Sequence, residues 1–173
     1  MKKSGYLLIA VLVISVLILS SVIYIMVTDK TPVDDPVNEA DKIKVSANLY
    51  FSKDGFSLIP ETREILVTNE EDKYKAVIEE LIKGPSSKDL SATVHNKTKV
   101  NYVTFSDNTA TIDFTDSFIK YNTGGSTREY LCIHSITSSL FEFKEIYKIY
   151  FTVNGESITT FGQFDMTDPF YNN

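Results

Sequence analysis

The chain has 173 residues, a single cysteine and a formal net charge of -6. One cysteine excludes an intrachain disulfide, so the fold must be held together by burial of apolar surface. The acidic balance argues against a nucleic-acid partner, because no basic stripe in the sequence could release counterions from a phosphate backbone. The basic residues are scattered among acidic ones, a pattern that predicts an evenly solvated surface.

The N-terminal segment predicts a membrane anchor. Lys2 and Lys3 are followed by an apolar run over residues 6–27 that contains no charged side chain. A helix of this length spans about 33 Å, enough to cross the hydrocarbon core. A cleaved signal peptide is the alternative, but the apolar run continues past Ser20 and Ser21, where a peptidase could cut. We therefore predict a retained transmembrane helix over residues 6–27, with residues 1–5 in the cytoplasm and the following domain outside it.

Residues 28–42 predict a flexible linker. They contain two prolines, five acidic residues and little apolar surface. Such a segment cannot bury enough area to offset its ordering entropy. The folded domain is expected over residues 43–168, and residues 169–173 are expected to form a tail.

The first half of the domain predicts strands followed by a helix. Apolar and polar residues alternate over residues 43–51, Asp54-Gly55 indicates a turn, and two further extended pieces are expected at residues 56–60 and 63–67. Residues 68–72 then predict a helix start with three acids in its first turn. An apolar stripe at helical spacing continues this helix to Lys83, where Gly84-Pro85 ends it. That stripe consists of Tyr74, Val77, Ile78, Leu81 and Ile82.

The second half predicts two hairpins with a helix between them. Residues 100–105 and 110–114 pair around a polar turn, and residues 146–153 and 156–160 pair around Asn154-Gly155. Residues 126–143 carry apolar residues at helical spacing. The predicted fold class is therefore α+β, a mostly antiparallel sheet packed with two main helices and preceded by one N-terminal transmembrane helix.

The start of the second helix predicts a capping box. Gly124 and Gly125 allow a positive φ, and Ser126 is followed three residues later by Glu129. In this motif the Ser126 hydroxyl accepts a hydrogen bond from the helix, and the Glu129 carboxylate accepts one from the cap amide. We expect Ser126→Ala to cost about 1 kcal/mol of stability.

Several of these segments, in this order, resemble the GerM domain of bacterial sporulation and spore germination proteins. The resemblance covers residues 47–165. Its segments are LIPETR at 58–63, LIKGP at 81–85, ATIDFTDSF at 110–118, GSTRE at 125–129 and the Asn154-Gly155 turn. It implies an extracytoplasmic α+β domain of the cell envelope that works as a binding or assembly module, with no established catalytic chemistry. The structural motif residues it points to are Gly84, Pro85, Gly125, Ser126, Glu129, Asn154 and Gly155.

Two groups of residues could form a site but have simpler explanations. Cys132 and His134 are two residues apart on a predicted helix, so they point to different faces and cannot form a dyad. The acids Asp113, Asp116 and Asp168 could ligate Ca²⁺, yet they lack the spacing of an EF-hand loop. We therefore predict no catalytic residue, no metal and no cofactor.

Charged residues beside a helix start and along a strand suggest two further interactions. Arg128 could hold an anion at the helix start, but Glu129 would repel that anion. Glu61, Arg63 and Glu64 could pair across strands, an interaction of small effect if it is exposed.

The sequence thus favours a non-enzymatic, membrane-tethered domain acting in sporulation or germination. Its expected partner is an envelope protein or peptidoglycan rather than nucleic acid, and assembly into a homo- or hetero-oligomer is one form of that role. Contact area is expected from strand edges or from the C-terminal aromatic residues. These aromatic residues are Phe161, Phe164, Phe170 and Tyr171. The alternative is a cell-wall hydrolase that uses paired carboxylates.

Overall fold

The computed structural model of the chain describes residues 15–20 and 42–172. Residues 15–20 are helical and expose their apolar side chains. Within the described parts of the chain, no helix is long and apolar enough to cross a membrane. Most of the transmembrane helix predicted over residues 6–27, and nearly all of the predicted linker, lie outside the described residues.

The domain begins with a long antiparallel hairpin. Strand β1 (Ile43–Ser52) pairs with β2 (Leu58–Val67) along the full length of both strands. The predicted turn closes the hairpin, and the Asp54 carboxylate accepts hydrogen bonds from the amides of Phe56 and Ser57. The two separate pieces expected after the turn are one continuous strand. Pro60 is tolerated within it because β2 is an edge strand.

A second sheet forms from the other half of the domain. Strands β3 (Val100–Ser106) and β4 (Thr109–Phe114) make the predicted antiparallel hairpin. Strand β5 (Lys148–Val153) pairs with β4 in parallel, which the sequence did not predict. Parallel neighbours need a long crossover connection, and the helical segment between β4 and β5 supplies it.

The strand expected to return after Asn154-Gly155 is short. The part of it that pairs with β5 is β6 (Glu156–Ser157). Strand β7 (Thr160–Phe161) then pairs with β8 (Phe164–Asp165) in a small hairpin of its own. The closing strand β9 (Phe170–Tyr171) pairs with the opposite end of β5. The C-terminal segment is therefore attached to the sheet rather than forming a free tail.

Within residues 42–172, three α-helices pack against these sheets. Helix α1 (Lys73–Lys83) follows a 3-10 turn at Glu70–Asp72 and buries four of the five stripe residues that predicted it. The short helix α2 (Ser117–Asn122) was not predicted. Helix α3 (Ser126–Phe141) packs on β1 and α1, and buries residues around much of its circumference. The described domain is thus an α+β fold with mainly antiparallel sheets.

The core contains a stack of aromatic rings that joins α2 to β4 and to β7. The Phe118 ring lies 4.2 Å from that of Phe114 and 4.6 Å from that of Phe161, measured between centroids. Phe161 is fully buried, so the prediction that it belongs to an exposed contact surface is wrong. Phe164 and Phe170 are half-buried, and only Tyr171 of that group is exposed.

Candidate functional site

The start of α3 is held by Glu129 and not by Ser126. The N-cap residue is Gly125, with φ 132° and no side-chain capping hydrogen bond. Glu129 is 3% exposed. Its Oε1 accepts hydrogen bonds from the amides of Gly124 and Gly125 at 3.0 and 3.2 Å. The predicted capping role of Ser126 is therefore wrong, because Gly125, with its positive φ, occupies the N-cap position and Ser126 is the first residue of the helix.

The other oxygen of Glu129 binds the β7–β8 turn. Glu129 Oε2 accepts a hydrogen bond from the amide of Gln163 at 2.9 Å. The amides of Gly124 and Gln163 lower the pKa of Glu129, although burial acts in the opposite direction. Gly162 lies against the same carboxylate, because a Cβ at this position would be 2.1 Å from Glu129 Cδ. The carboxylate therefore fastens the C-terminal turn to the start of α3.

A second carboxylate, Glu61, is paired with Arg63 and fastens β2 to the end of α1. Glu61 Oε1 accepts hydrogen bonds from Arg63 Nε at 2.8 Å and Nη2 at 2.6 Å. Arg63 also donates to the Glu80 carboxylate and, at 2.6 Å, to the carbonyl of Gly84. Both side chains of the Arg63–Glu61 pair are mostly buried. The expected weak pairing at the surface is instead a partly buried network.

The loop after α1 completes this network. Glu61 Oε2 accepts a hydrogen bond from the Ser87 amide at 3.0 Å, and the carboxylate also receives the Ser86 amide. Burial would raise the pKa of Glu61, but the Ser87 amide and Arg63 lower it to about 2. Gly84 takes φ 88° as the residue after the helix. The segments 58–63 and 81–85, which carry the family resemblance, are therefore two halves of one contact.

A third buried acid, Asp113, orders the Asn154-Gly155 turn. Asp113 is 1% exposed, and its Oδ1 accepts hydrogen bonds from the Gly155 amide at 2.7 Å and the Thr152 hydroxyl at 2.6 Å. Nearby, Asp116 Oδ1 accepts from Asn154 Nδ2 at 2.7 Å. Both residues of the turn have positive φ. The segments 110–118 and 154–155 are thus also joined by carboxylates.

We call Glu61 with Arg63, Asp113 with Asp116, and Glu129 the acid clamps. Each buried clamp acid has a lowered pKa. A glycosidase general acid needs a raised pKa, so the clamps give no support to the hydrolase alternative. Asp113 and Asp116 both bind the Asn154-Gly155 turn, and the hydrogen bonds of these two described residues do not involve Asp168. In the parts of the chain that the structure describes, no cluster of three or more His, Cys, Asp or Glu residues has metal-binding geometry.

Cys132 and His134 lie in different surroundings. Cys132 is buried, and burial raises the pKa of its thiol, which opposes formation of the reactive thiolate. The His134 ring packs 4.0 Å from the Tyr130 ring, and burial lowers its pKa. The two side chains therefore act as packing groups on separate faces of α3.

The structure brings together basic residues that the sequence disperses. Adjoining concave surfaces surround residues 92–99, the second half of the loop between α1 and β3. We call these surfaces the basic groove. One part measures about 710 Å³ and a second about 720 Å³, and both are lined by Asn96. A smaller part of about 420 Å³ lies between α1 and the start of β3. The basic side chains that line the groove are Lys83, Lys97, Lys99, Lys120 and Arg128.

Lys83 pairs with Glu80, whereas the other four cations of the groove have few acids to neutralise them. Its described lining contains two, Glu79 and Asp116. Asp116 accepts a hydrogen bond from Asn154, and Glu79 pairs with Lys75 at 3.8 Å. Among the described residues, Lys97, Lys99, Lys120 and Arg128 have no carboxylate within 4.0 Å. The groove is therefore a local excess of positive charge on a chain of net charge -6.

A buried amide fixes the loop that presents two of these lysines. Asn122 is 1% exposed and lies at the end of α2. Its Oδ1 accepts a hydrogen bond from the His95 amide at 2.7 Å, and its Nδ2 donates to Thr98 Oγ1 at 2.8 Å. Thr98 also donates its amide to the carbonyl of His95. Lys97 and Lys99 thus project from a loop whose backbone is held in place.

Tyr121 lies at the centre of the cluster. Its ring stacks on the His95 ring at 5.2 Å between centroids. The ammonium groups of Lys97 and Lys120 lie over the ring at 5.6 and 5.3 Å from its centroid. Arg128 Nη2 donates a hydrogen bond to the Tyr121 carbonyl at 3.1 Å. Cations from three segments of the chain therefore converge on one aromatic residue.

Sequence reasoning missed this convergence. Lys97, Lys99, Lys120 and Arg128 come from the loop, from α2 and from α3, so no run of basic residues marks them. A local signal in the sequence is Lys97-Thr98-Lys99, in which one lysine precedes and one follows a threonine that the structure buries. The expectation of an evenly mixed surface charge is wrong for this face.

Solved structures identify the class of domain. The first GerMN domain of the sporulation protein GerM from Bacillus subtilis superposes with a TM-score of 0.61 at 24% identity, over 73% of this chain and 97% of that one. The tandem GerMN domains of the same protein give 0.63 at 23% identity, over 75% of this chain and 46% of that one. The fold is therefore that of a GerMN domain, and the match spans about half of the tandem structure.

The family follows from the sequence itself. Residues 48–159 match the model of the Germane family, described as sporulation and spore germination, and the chain belongs to that family. A predicted lipoprotein from Clostridium perfringens is 26% identical over 76% of this chain and 89% of its own, with a TM-score of 0.54. A comparison with curated proteins found no match. The resemblance to the GerM domain is thus confirmed.

Proposed function

We propose that this protein is a non-catalytic binding module of the cell envelope, acting in sporulation or spore germination. The observation that carries the proposal is the match of residues 48–159 to a family described by those two processes. The acid clamps support a non-catalytic role, because their carboxylates are already engaged by backbone amides and by Arg63. The partner class we propose is an envelope protein or peptidoglycan.

The proposed location is the outer side of the cell membrane. Likeness to a predicted lipoprotein supports membrane association, since lipoproteins are anchored at the membrane surface. The uncharged apolar run over residues 6–27, preceded by Lys2 and Lys3, supports a helical anchor with a cytoplasmic N-terminus. In this arrangement the domain faces the cell wall or the space between two membranes.

An open sheet face offers area for a protein partner. Tyr102 on β3 and Tyr150 on β5 lie on the same face of the second sheet, because Tyr102 is opposite Asp113 and Tyr150 is opposite Thr111 on β4. They are 45% and 40% exposed. Tyrosines are enriched at protein interfaces because the ring is apolar and the hydroxyl can remain solvated. This tyrosine face replaces Phe161 as the contact area we propose.

Crosslinking tests the proposed role. A photoactivatable residue replaces Tyr150 in the full-length chain, and cells are irradiated during sporulation. We expect a crosslink to an envelope protein that depends on this position. The matched control is Tyr130, which has similar exposure but lies on α3. Crosslinks only to cytoplasmic proteins, or none from the tyrosine face, would contradict the proposal.

Cysteine labelling tests the proposed location. The native Cys132 is buried, so an exposed cysteine introduced as Lys53→Cys is the reactive one in folded protein. A membrane-impermeant maleimide should label it in intact cells, while the parent chain should remain unlabelled. Labelling that requires lysis of the cells would place the domain in the cytoplasm and overturn the proposal.

A further inference from the structure

We infer that the basic groove binds a linear, phosphodiester-linked polyanion of the cell wall, of the polyol phosphate type. The inference rests on the proposed function only for the location of the domain. The groove itself is defined by its residues: three of its cations, Lys97, Lys99 and Lys120, lie around the second part of the groove and have no carboxylate within 4.0 Å among the described residues.

The charge arrangement calls for an anion. The Lys97 and Lys120 ammonium groups both lie over the Tyr121 ring, so two like charges are held near one another. Their mutual repulsion is relieved when a ligand brings negative charge between them. The loop that carries Lys97 is fixed by Asn122, so little ordering entropy is lost when the ligand binds.

The spread of the cations favours a chain over a small anion. Lys83 and Arg128 line the first part of the groove, and Lys97 and Lys120 line the second. Asn96 lines both parts, so the two parts adjoin, and an extended ligand can contact both. Lys83 is paired with Glu80, which leaves Arg128, Lys97 and Lys120 as the cations along the two parts that have no carboxylate partner among the described residues. A phosphate ion can reach one part at a time, whereas a flexible polymer with a charge on every unit can follow both parts. Multiple contacts along one chain also raise its affinity through effective concentration.

The aromatic contacts argue against a nucleic acid. Proteins that bind single strands stack bases on open aromatic faces. The Tyr121 ring is already stacked on His95 and has two ammonium groups over it. A polymer that consists of phosphates and polyols needs no such face. The concave shape also disfavours a flat bilayer, because the headgroups of a planar surface cannot follow the walls of a groove.

The test compares two triple variants of the full-length chain in neutral detergent. Lys97→Gln/Lys99→Gln/Lys120→Gln removes three charges from the groove. Lys53→Gln/Lys88→Gln/Lys144→Gln removes three exposed charges that do not line it. Binding to poly(glycerol phosphate) of defined length is measured by calorimetry. We expect the groove variant to bind about tenfold more weakly, with a flatter salt dependence, and the control variant to bind like the parent.

The contrary outcomes are distinct. Equal losses in the two variants would show that only net charge matters, and no loss in either would exclude the groove; both overturn the inference. Single-stranded RNA or phosphatidylglycerol vesicles that bind the parent as tightly as the polymer would assign the groove to a nucleic acid or a membrane, and would also overturn it. Failure of maleimide labelling in intact cells would overturn the proposed function while leaving the measured polymer affinity intact.

Discussion

The acid clamps and the basic groove use charge in opposite ways. In the clamps, Glu61, Asp113 and Glu129 are withdrawn from solvent, and their oxygens accept hydrogen bonds from the protein. In the groove, Lys97, Lys99 and Lys120 are exposed, and no carboxylate neutralises them within the described chain. The clamps lie in the segments that carry the family resemblance, whereas these three lysines all lie outside those segments. Motif residues therefore build this domain, and other residues are available to bind.

Lowering the pH should weaken all three clamps at once, so we expect it to reduce the free energy of unfolding more than any of the substitutions below. Each clamp acid has a lowered pKa in the folded state, so it contributes stability that is present above its unfolded pKa and is lost as pH falls towards its folded pKa. For Glu61 this interval runs from 4.5 down to about 2. We expect the free energy of unfolding of the unit Glu39–Asn173 to fall steadily below about pH 4.5. Denaturant titrations at several pH values measure it, and Glu61→Gln should make the pH dependence shallower. A flat profile would contradict the role of the clamps.

Arg63→Met should break one clamp at neutral pH. The substitution leaves Glu61 and Glu80 without their shared cation in a partly buried site, so we expect a loss of about 3 kcal/mol in unfolding free energy. Lys44→Met is the matched control, because Lys44 pairs with Glu64 where both side chains are exposed, and it should cost less than about 1 kcal/mol. Similar losses for the two variants would show that the Arg63 network has no special weight.

Gly162→Ala should strain the Glu129 clamp. The new Cβ would clash with the carboxylate, at 2.1 Å from Glu129 Cδ, and φ at this position is +60°. We expect a loss of about 2 kcal/mol, the cost of overpacking together with left-handed backbone strain. Gly55→Ala is the control, because it also has positive φ but no atom within 4 Å of the added Cβ. A larger loss for Gly55→Ala would contradict the clamp.

Ser126→Ala should have the smallest effect. The N-cap residue is Gly125 and no side-chain cap is present, so we expect a loss of less than about 0.5 kcal/mol, as for an ordinary surface substitution. Glu129→Ala provides the contrast, since it removes the acceptor of three backbone amides and should cost several times more. Urea unfolding of both variants measures the difference. A loss near 1 kcal/mol for Ser126→Ala would restore the capping box.

Local patterns predicted the elements that local chemistry determines. The stripe from Tyr74 to Leu81 predicted α1, and the alternation over residues 43–51 predicted β1. Both predictions succeed because the spacing of apolar residues along the chain reflects which side of the element is buried. The Asn154-Gly155 turn and the resemblance to the GerM domain were also evident in the sequence. The parallel pairing of β4 and β5 was not, because it depends on where a long connection returns.

The clamps and the groove both depend on contacts between distant segments, so the sequence predicted little of either. Glu129 could be predicted to bind backbone near its own helix start, but its bond to Gln163 depends on tertiary structure. Glu61 and Arg63 are two residues apart, yet their partners belong to α1 and the loop after it. The groove cations come from three segments. Basic residues that are far apart in the sequence form one positively charged surface only in the folded structure.

The close approach of Gly162 to Glu129 has an evolutionary consequence. While the carboxylate is present, any side chain at position 162 collides with it; once the carboxylate is lost, the reason for a glycine there weakens. We therefore expect the two positions to change together among relatives, with Glu at one accompanying Gly at the other. Positions 129 and 162, which are far apart in the sequence, should therefore covary.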